Sequence, residues 1–147
     1  MIKQVYYIPI KPVPKQRPQF NSRTKTAYTP RRTLAYEKEV KSHINRSMRE
    51  KKYKPIKDKD IPLKITLVFT FSVPKSWSKT KKELALSGQV YPIGSNIGDV
   101  DNLAKAVLDA MNKSVYQDDR QIVELSIKKN YGEQEGIIVI LEGLSEG

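Results

Sequence analysis

The sequence predicts an α+β fold: a small mixed or mainly antiparallel sheet of about four strands with helices packed on it. Three patterns carry that reading. Leu63, Ile65, Leu67, Phe69, Phe71 and Val73 alternate with Lys64, Thr66, Thr70 and Ser72, the period of a strand with one buried face. Tyr36, Val40, Ile44 and Met48 recur every four residues, which is the apolar stripe of a helix. Two β-rich runs, 121–129 and 137–141, close the chain with a Gly-containing segment between them. That spacing predicts a hairpin with its loop at 130–136.

Taken in order, residues 2–10 are β-rich and read as the first strand. Residues 11–29 carry Pro12, Pro14 and Pro18 among Lys11, Lys15, Arg17, Arg23 and Lys25, and read as a basic loop without regular structure. Loops of that length inside a compact domain are commonly functional or disordered. Thr29 is placed to cap the next helix, with Pro30 at its first position and the stripe carrying it to about residue 52. Residues 51–60 are charged and read as a mobile connection to the central strand, 63–73. Ser78 caps a short helix that runs through Leu86 and is ended by Gly88. A loop over 89–98 leads to a helix over 100–112 and then a turn through Asp118 and Asp119. The last five residues, 143–147, read as frayed. Length and the absence of repeats predict one domain over 1–147.

Composition narrows the chemistry. There is no cysteine, so disulfides, thiolate metal sites and cysteine nucleophiles are excluded. The single histidine, His43, falls inside the first predicted helix and reads as structural or solvated, which leaves zinc few ligands. No apolar run approaches the ~20 residues of a membrane span, and the N-terminus has none of the three regions of a signal peptide. The expectation is a soluble, cytoplasmic protein with no membrane partner. Net charge is +11, and it is segregated: residues 1–60 hold 17 Lys and Arg against 5 acids, residues 61–147 hold 10 against 11. No acid precedes Glu37. Such segregation favours nucleic acid as partner. Lys15, Arg17, Arg23 and Lys25 in the loop, with Arg31 and Arg32 at the helix start, are the candidate phosphate contacts. Tyr28, Tyr36 and Trp77 read as packing residues ahead of base-stacking ones.

Against this basic background stand Asp99-Val100-Asp101-Asn102-Leu103-Ala104-Lys105 and Asp118-Asp119-Arg120-Gln121-Ile122. A knot of aspartates would repel a polyanion unless a cation sat between them. Carboxylates and water are the ligands Mg²⁺ prefers, so a Mg²⁺ site acting on a phosphodiester reconciles the two features. Residues two apart lie about 200° apart on a helix but share a face in extended backbone. Asp99 and Asp101 therefore work together best at a loop-to-helix junction, with Asp99 at or before the cap. Asp101, Lys105 and Asp109 step by four along one helix face, with Leu103, Val107, Ala110 and Met111 opposite. A plainer account makes Asp99 a cap, pairs Lys105 with Asp101 and Asp109 for ~0.2–0.5 kcal/mol each, and leaves Asp118 bonding its own turn. One of Asp118 and Asp119 could complete a three-carboxylate site, and spacing alone does not choose. An EF-hand is excluded, because its obligatory Gly and Glu positions hold Ala104 and Ala110.

Asp99, Asp101, Asn102, Leu103 and Lys105 match a D-x-D-N-L-x-K pattern, Asp109-Ala110-Met111-Asn112 a D-A-[LM]-N, and Asp118, Asp119, Gln121 and Ile122 a D-D-x-Q-[IV]. Pro12-Val13-Pro14-Lys15-Gln16-Arg17-Pro18 and Tyr28-Thr29-Pro30 match P-x-P-K-x-R-P and Y-T-P. Together these motifs resemble the RusA family of Holliday-junction resolvases, common in bacteria and their prophages, across nearly the whole chain. The resemblance implies a homodimeric, Mg²⁺-dependent endonuclease, with Mn²⁺ able to substitute, that cuts four-way DNA junctions in recombination and repair without a small-molecule cofactor. It implies that Asp99, Asp101 and Asp119 are the metal-binding acids, Lys105 the catalytic lysine and Asp118 a supporting ligand, with 5′-phosphate and 3′-hydroxyl products. One departure stands out. Many members carry Lys-Pro directly before the first aspartate, where this chain has Ile97-Gly98, which removes that lysine and puts a loosening glycine before Asp99. The competing readings are a non-catalytic nucleic-acid-binding protein, a metal nuclease acting on flaps or other branched DNA, and, weakest, a pure interaction module.

Overall fold

The structure, a computed structural model, describes residues 2–17, 19–28 and 30–144. In chain order the elements are β1 Lys3–Ile8, β2 Gln19–Asn21, β3 Thr26–Tyr28, α1 Arg31–Lys51, β4 Leu63–Ser72, α2 Lys79–Leu86, α3 Val100–Met111, β5 Ile122–Gly132 and β6 Gly136–Gly143. Four of the strands form one mixed sheet in the order β1-β6-β4-β5, antiparallel except for the parallel β4–β5 pair. The predicted α+β architecture, with a mixed sheet of four strands, is the one observed.

The core follows from the two periodicities. On β4, Leu63, Ile65, Leu67, Phe69 and Phe71 are all buried to 2% exposure or less, on the face they share with Tyr6 and Ile8 of β1 and Ile137, Val139 and Leu141 of β6. The stripe of α1 (Tyr36, Val40, Ile44, Met48) and the inner side of α3 (Leu103, Val107, Met111) are buried in the same cluster. Each large side chain fully buried there is worth ~1.5–3 kcal/mol. A charged residue at Leu67 or Phe69 would therefore unfold the sheet. Ser78 accepts a hydrogen bond from Lys81 N at 3.2 Å and starts α2, and Gly88, at φ +84°, follows its end, both as the sequence predicts.

Four expectations are corrected. The two C-terminal strands do not form a hairpin: residues 133–135 carry the chain from Gly132, beside Ser72, over the end of β4 to Gly136, beside Thr70. Alternation identifies the buried face of a strand but not which neighbour fills its edge. The loop over 11–29 contains the β2–β3 hairpin, whose turn is held by Asn21 Oδ1 accepting from Arg23 N (2.9 Å) and Thr24 N (3.4 Å), with Lys25 at φ 53°. Every residue of these two strands is exposed, so no apolar pattern announces them. The charged connection is anchored, not mobile: Ile56 is buried and donates its N–H to Val115 O at 2.8 Å, while Gln4 Nε2 donates to Lys54 O at 3.0 Å. Gly143 and Leu144 are likewise tied down, through Gly143 N to Ile2 O (2.9 Å) and Leu144 N to Pro62 O (2.8 Å). Pro18, the Thr29 cap and residues 145–147 fall outside the described residues. Pro30 precedes α1, and its carbonyl accepts from Leu34 N at 3.1 Å. Among the described residues no helix is long and apolar enough to cross a membrane.

Candidate active site

The approach to α3 requires a glycine. Gly98 sits at φ +94°, and a Cβ built on it would lie 2.6 Å from the Pro14 ring. Only glycine fits there, and Lys129 Nζ donates to its carbonyl at 3.1 Å. Lys15 N donates to Asn102 O at 2.9 Å and completes the clamp between the basic loop and α3. Asp99 then stands at the cap in extended conformation (φ −78°, ψ 151°), the junction geometry the spacing favours. Its carboxylate makes no capping hydrogen bond. Asp101 and Lys105 project from the exposed side of α3, and among the described residues neither takes part in an ion pair.

Adjacent Asp118 and Asp119 are put to different uses. Asp118 caps a 3₁₀ turn over Asp119–Gln121: its Oδ1 accepts from Arg120 N at 3.0 Å, and Oδ2 lies 3.7 Å from Arg120 Nε. Gln121 Oε1 reciprocates by accepting from Asp118 N at 3.1 Å, and its amide donates to Asp58 O and Ile61 O. Asp119 Oδ1 instead accepts from Tyr116 Oη at 2.7 Å. Tyr116 is fully buried, and its oxygen also lies 3.1 Å from Leu108 O. Burial first, and the Asp119 carboxylate second, push the Tyr116 hydroxyl above its ordinary pKa, so it remains a donor at any ordinary pH.

These arrangements converge on a cleft of about 420 Å³ between α3 and β5. Asp101, Lys105, Asp109, Asp119 and Glu124 line it, over an apolar floor of Ala104, Leu108, Ile122 and Ile127, and Glu124 lies 3.3 Å from Lys64 Nζ. Asp99 and Asp118 do not line it. Among the described residues no three acids gather closely enough to form a ready-made cation cage. The donor set still suits Mg²⁺, which keeps several waters and takes one or two carboxylates plus substrate phosphate oxygens. Asp101 and Asp119 are two such carboxylates facing one space, and neither is neutralised by a basic side chain among the described residues.

Lys15 is placed differently from the phosphate contact expected of it. Its ammonium lies 3.0 Å from Glu37 Oε1 and 2.5 Å from Asp109 Oδ2, with only 17% of the side chain exposed. Burial pulls its pKa down, but the hydrogen bonds and charges of Asp109 and Glu37 outweigh this and hold it raised. Asp109 accordingly pairs with Lys15 and not with Lys105. Arg17, Arg23, Lys25, Arg31 and Arg32 are exposed. Of the aromatic candidates, Tyr36 is core, Tyr28 is half-exposed on the hairpin, and Trp77 packs edge-on against Tyr131 at 5.3 Å. Sequence reasoning missed Tyr116 and Lys129. Tyr116 lies three residues before Asp119, a spacing that could have drawn notice, whereas nothing local marks Lys129.

Comparison with known proteins agrees with the motifs. Residues 9–142 match the family described as Endodeoxyribonuclease RusA. The chain is also 41% identical over 75 residues to "Uncharacterized protein YqaN" of Bacillus subtilis (strain 168), covering 50% of this chain and 51% of that protein. It thus spans about half the length of the curated relative it matches. A match over that much of the chain, together with the acid motifs it contains, shows that this protein belongs to the RusA endodeoxyribonuclease family.

Proposed function

We propose that the chain is a divalent-metal-dependent endonuclease that resolves four-way DNA junctions by paired symmetric nicks, acting as a homodimer. The observation that carries the reading is the shared cleft: Asp101 and Lys105 reach it from α3 and Asp119 from the turn before β5. Asp101 and Asp119 would hold Mg²⁺, or Mn²⁺ in its place, with Asp99 and, less directly, Asp118 flanking them. A bound divalent ion supplies Lewis-acid polarisation of the scissile phosphate. Lys105, one turn beyond Asp101, places an ammonium where negative charge develops on the phosphate oxygens. Tyr116 keeps one Asp119 oxygen occupied and the carboxylate aimed into the cleft. Lys15 holds the basic loop against α1 and α3, and Arg17, Arg23, Lys25, Arg31 and Arg32 grip the phosphate backbone without reading sequence.

A four-way junction is nearly two-fold symmetric and needs two opposed cuts, which a C2 dimer delivers from two equivalent sites. The test is incubation with a labelled synthetic four-way junction and a matched linear duplex, in Mg²⁺ or EDTA, beside Asp101→Asn. Symmetric paired nicks on the junction alone, with Mg²⁺ alone and in wild type alone, are the predicted result. Equal cutting of flaps or duplex would refute junction selectivity, and metal-independent binding without cleavage would return the aspartates to capping and pairing.

A further inference from the structure

A second groove, larger than the acidic cleft, opens beyond the C-terminal end of β4, with a volume of about 930 Å³. Trp77, Tyr91 and Tyr131 give it aromatic walls, and Lys11, Lys75 and Lys81 line it with positive charge. Among the described residues no carboxylate belongs to its lining. Trp77 and Tyr131 brace each other edge-on, with ring centroids 5.3 Å apart and planes at 71°. Lys81 Nζ stands 3.8 Å from the centre of the Trp77 ring. Tyr91 is 56% exposed, so its ring is open to a ligand in the groove. Ile97, two residues before Asp99 in the chain, closes one wall.

Aromatic faces interleaved with lysines and free of acids complement a ligand that has flat π-surfaces on an anionic backbone. In a duplex those surfaces are stacked away, and only an unpaired strand offers them. We propose that this groove seats an unpaired segment of DNA strand, its bases against Trp77, Tyr91 and Tyr131 and its phosphates against Lys11, Lys75 and Lys81. The proposal rests on the nuclease reading and deepens it: strands opened at a branch point have somewhere to go. Lys81 leaves the indole face for a phosphate as a base arrives.

Trp77 is the chain's only tryptophan, so its fluorescence reports this groove alone. Short oligothymidylate is titrated into the full chain in EDTA, where cleavage plays no part, with inorganic polyphosphate as the comparison. Saturable quenching by the oligonucleotide and none by polyphosphate is expected. Tyr91→Ala, on an exposed residue, should weaken that binding about tenfold. Lys75→Ala and Lys81→Ala should each make the slope of log K against log salt shallower by about 0.7. Quenching by polyphosphate to the same extent would overturn the proposal, because bases would then be irrelevant. Emission that shifts with protein concentration in the absence of DNA would also overturn it, by putting a second copy in the groove. Absence of quenching in protein that still cuts junctions overturns the groove alone. Saturable quenching in protein that cuts none keeps the groove and removes the nuclease reading.

Discussion

The Tyr116 hydroxyl, buried and 2.7 Å from Asp119 Oδ1, and the Asp118 carboxylate, 3.0 Å from Arg120 N, divide two adjacent aspartates between orientation and capping. Tyr116→Phe removes one charge-assisted hydrogen bond without changing the ring. It should cost ~1–2 kcal/mol of stability and slow single-turnover cleavage, read from denaturant midpoints and from junction nicking. The sign of its pH dependence is fixed by the raised Tyr116 pKa. The stability difference between wild type and variant should be constant below the ordinary tyrosine value of 10.0, and should shrink as the pH rises through the raised one. Lys15→Met leaves Glu37 and Asp109 facing each other without a cation. A loss of about 2 kcal/mol is expected, below the ~3–5 of a fully buried pair, because 17–26% of these side chains remains exposed. The motif singled out Asp119 and Lys15 by position but not by partner. Both Lys15 contacts come from residues far along the chain, Glu37 and Asp109, which no local pattern connects.

At the scale of elements, the helices were legible because burial wrote their period into the sequence. The four residues of the α1 stripe and Leu103, Val107, Ala110 and Met111 of α3 are buried as their spacing predicts, whereas Thr33, Ala104 and Ala106 join them unannounced, and Ser78 and Gly88 mark the ends of α2. What could not be read were features held by backbone and tertiary hydrogen bonds: the exposed β2–β3 hairpin, the anchored segment around Ile56, and the passage of β6 to the far side of β4. Gly98 lies between these cases. As a letter it suggests looseness, whereas its φ of +94° and the Pro14 ring beneath it make it a position that only glycine fits. Gly98→Ala should cost at least ~1–2 kcal/mol from the backbone conformation alone. Displacement of Asp99 and Asp101 should reduce cleavage more than junction affinity. Equal losses in the two assays would mean that Gly98 serves folding only.

Across the whole molecule, charge is separated: the first 60 residues carry most of the excess Lys and Arg, and the acids Asp101, Asp109, Asp119 and Glu124 line one small cleft. Junction affinity should fall linearly in log salt, with the slope shallower by about 0.9 for each of Arg23→Ala, Arg31→Ala and Arg32→Ala. Lys15→Met should leave that slope unchanged, since its ammonium is already committed to two carboxylates. Mg²⁺ should raise the melting temperature of wild type by binding the folded form, and should do so less in Asp101→Asn. The measurement that bears most directly on the account is junction cleavage in Mg²⁺ by Asp119→Asn and Asp118→Asn side by side, with folding checked for each. Loss of nicking in Asp119→Asn and its retention in Asp118→Asn is the predicted result. The reverse pattern would contradict the assignment of the cleft between α3 and β5 as the active site.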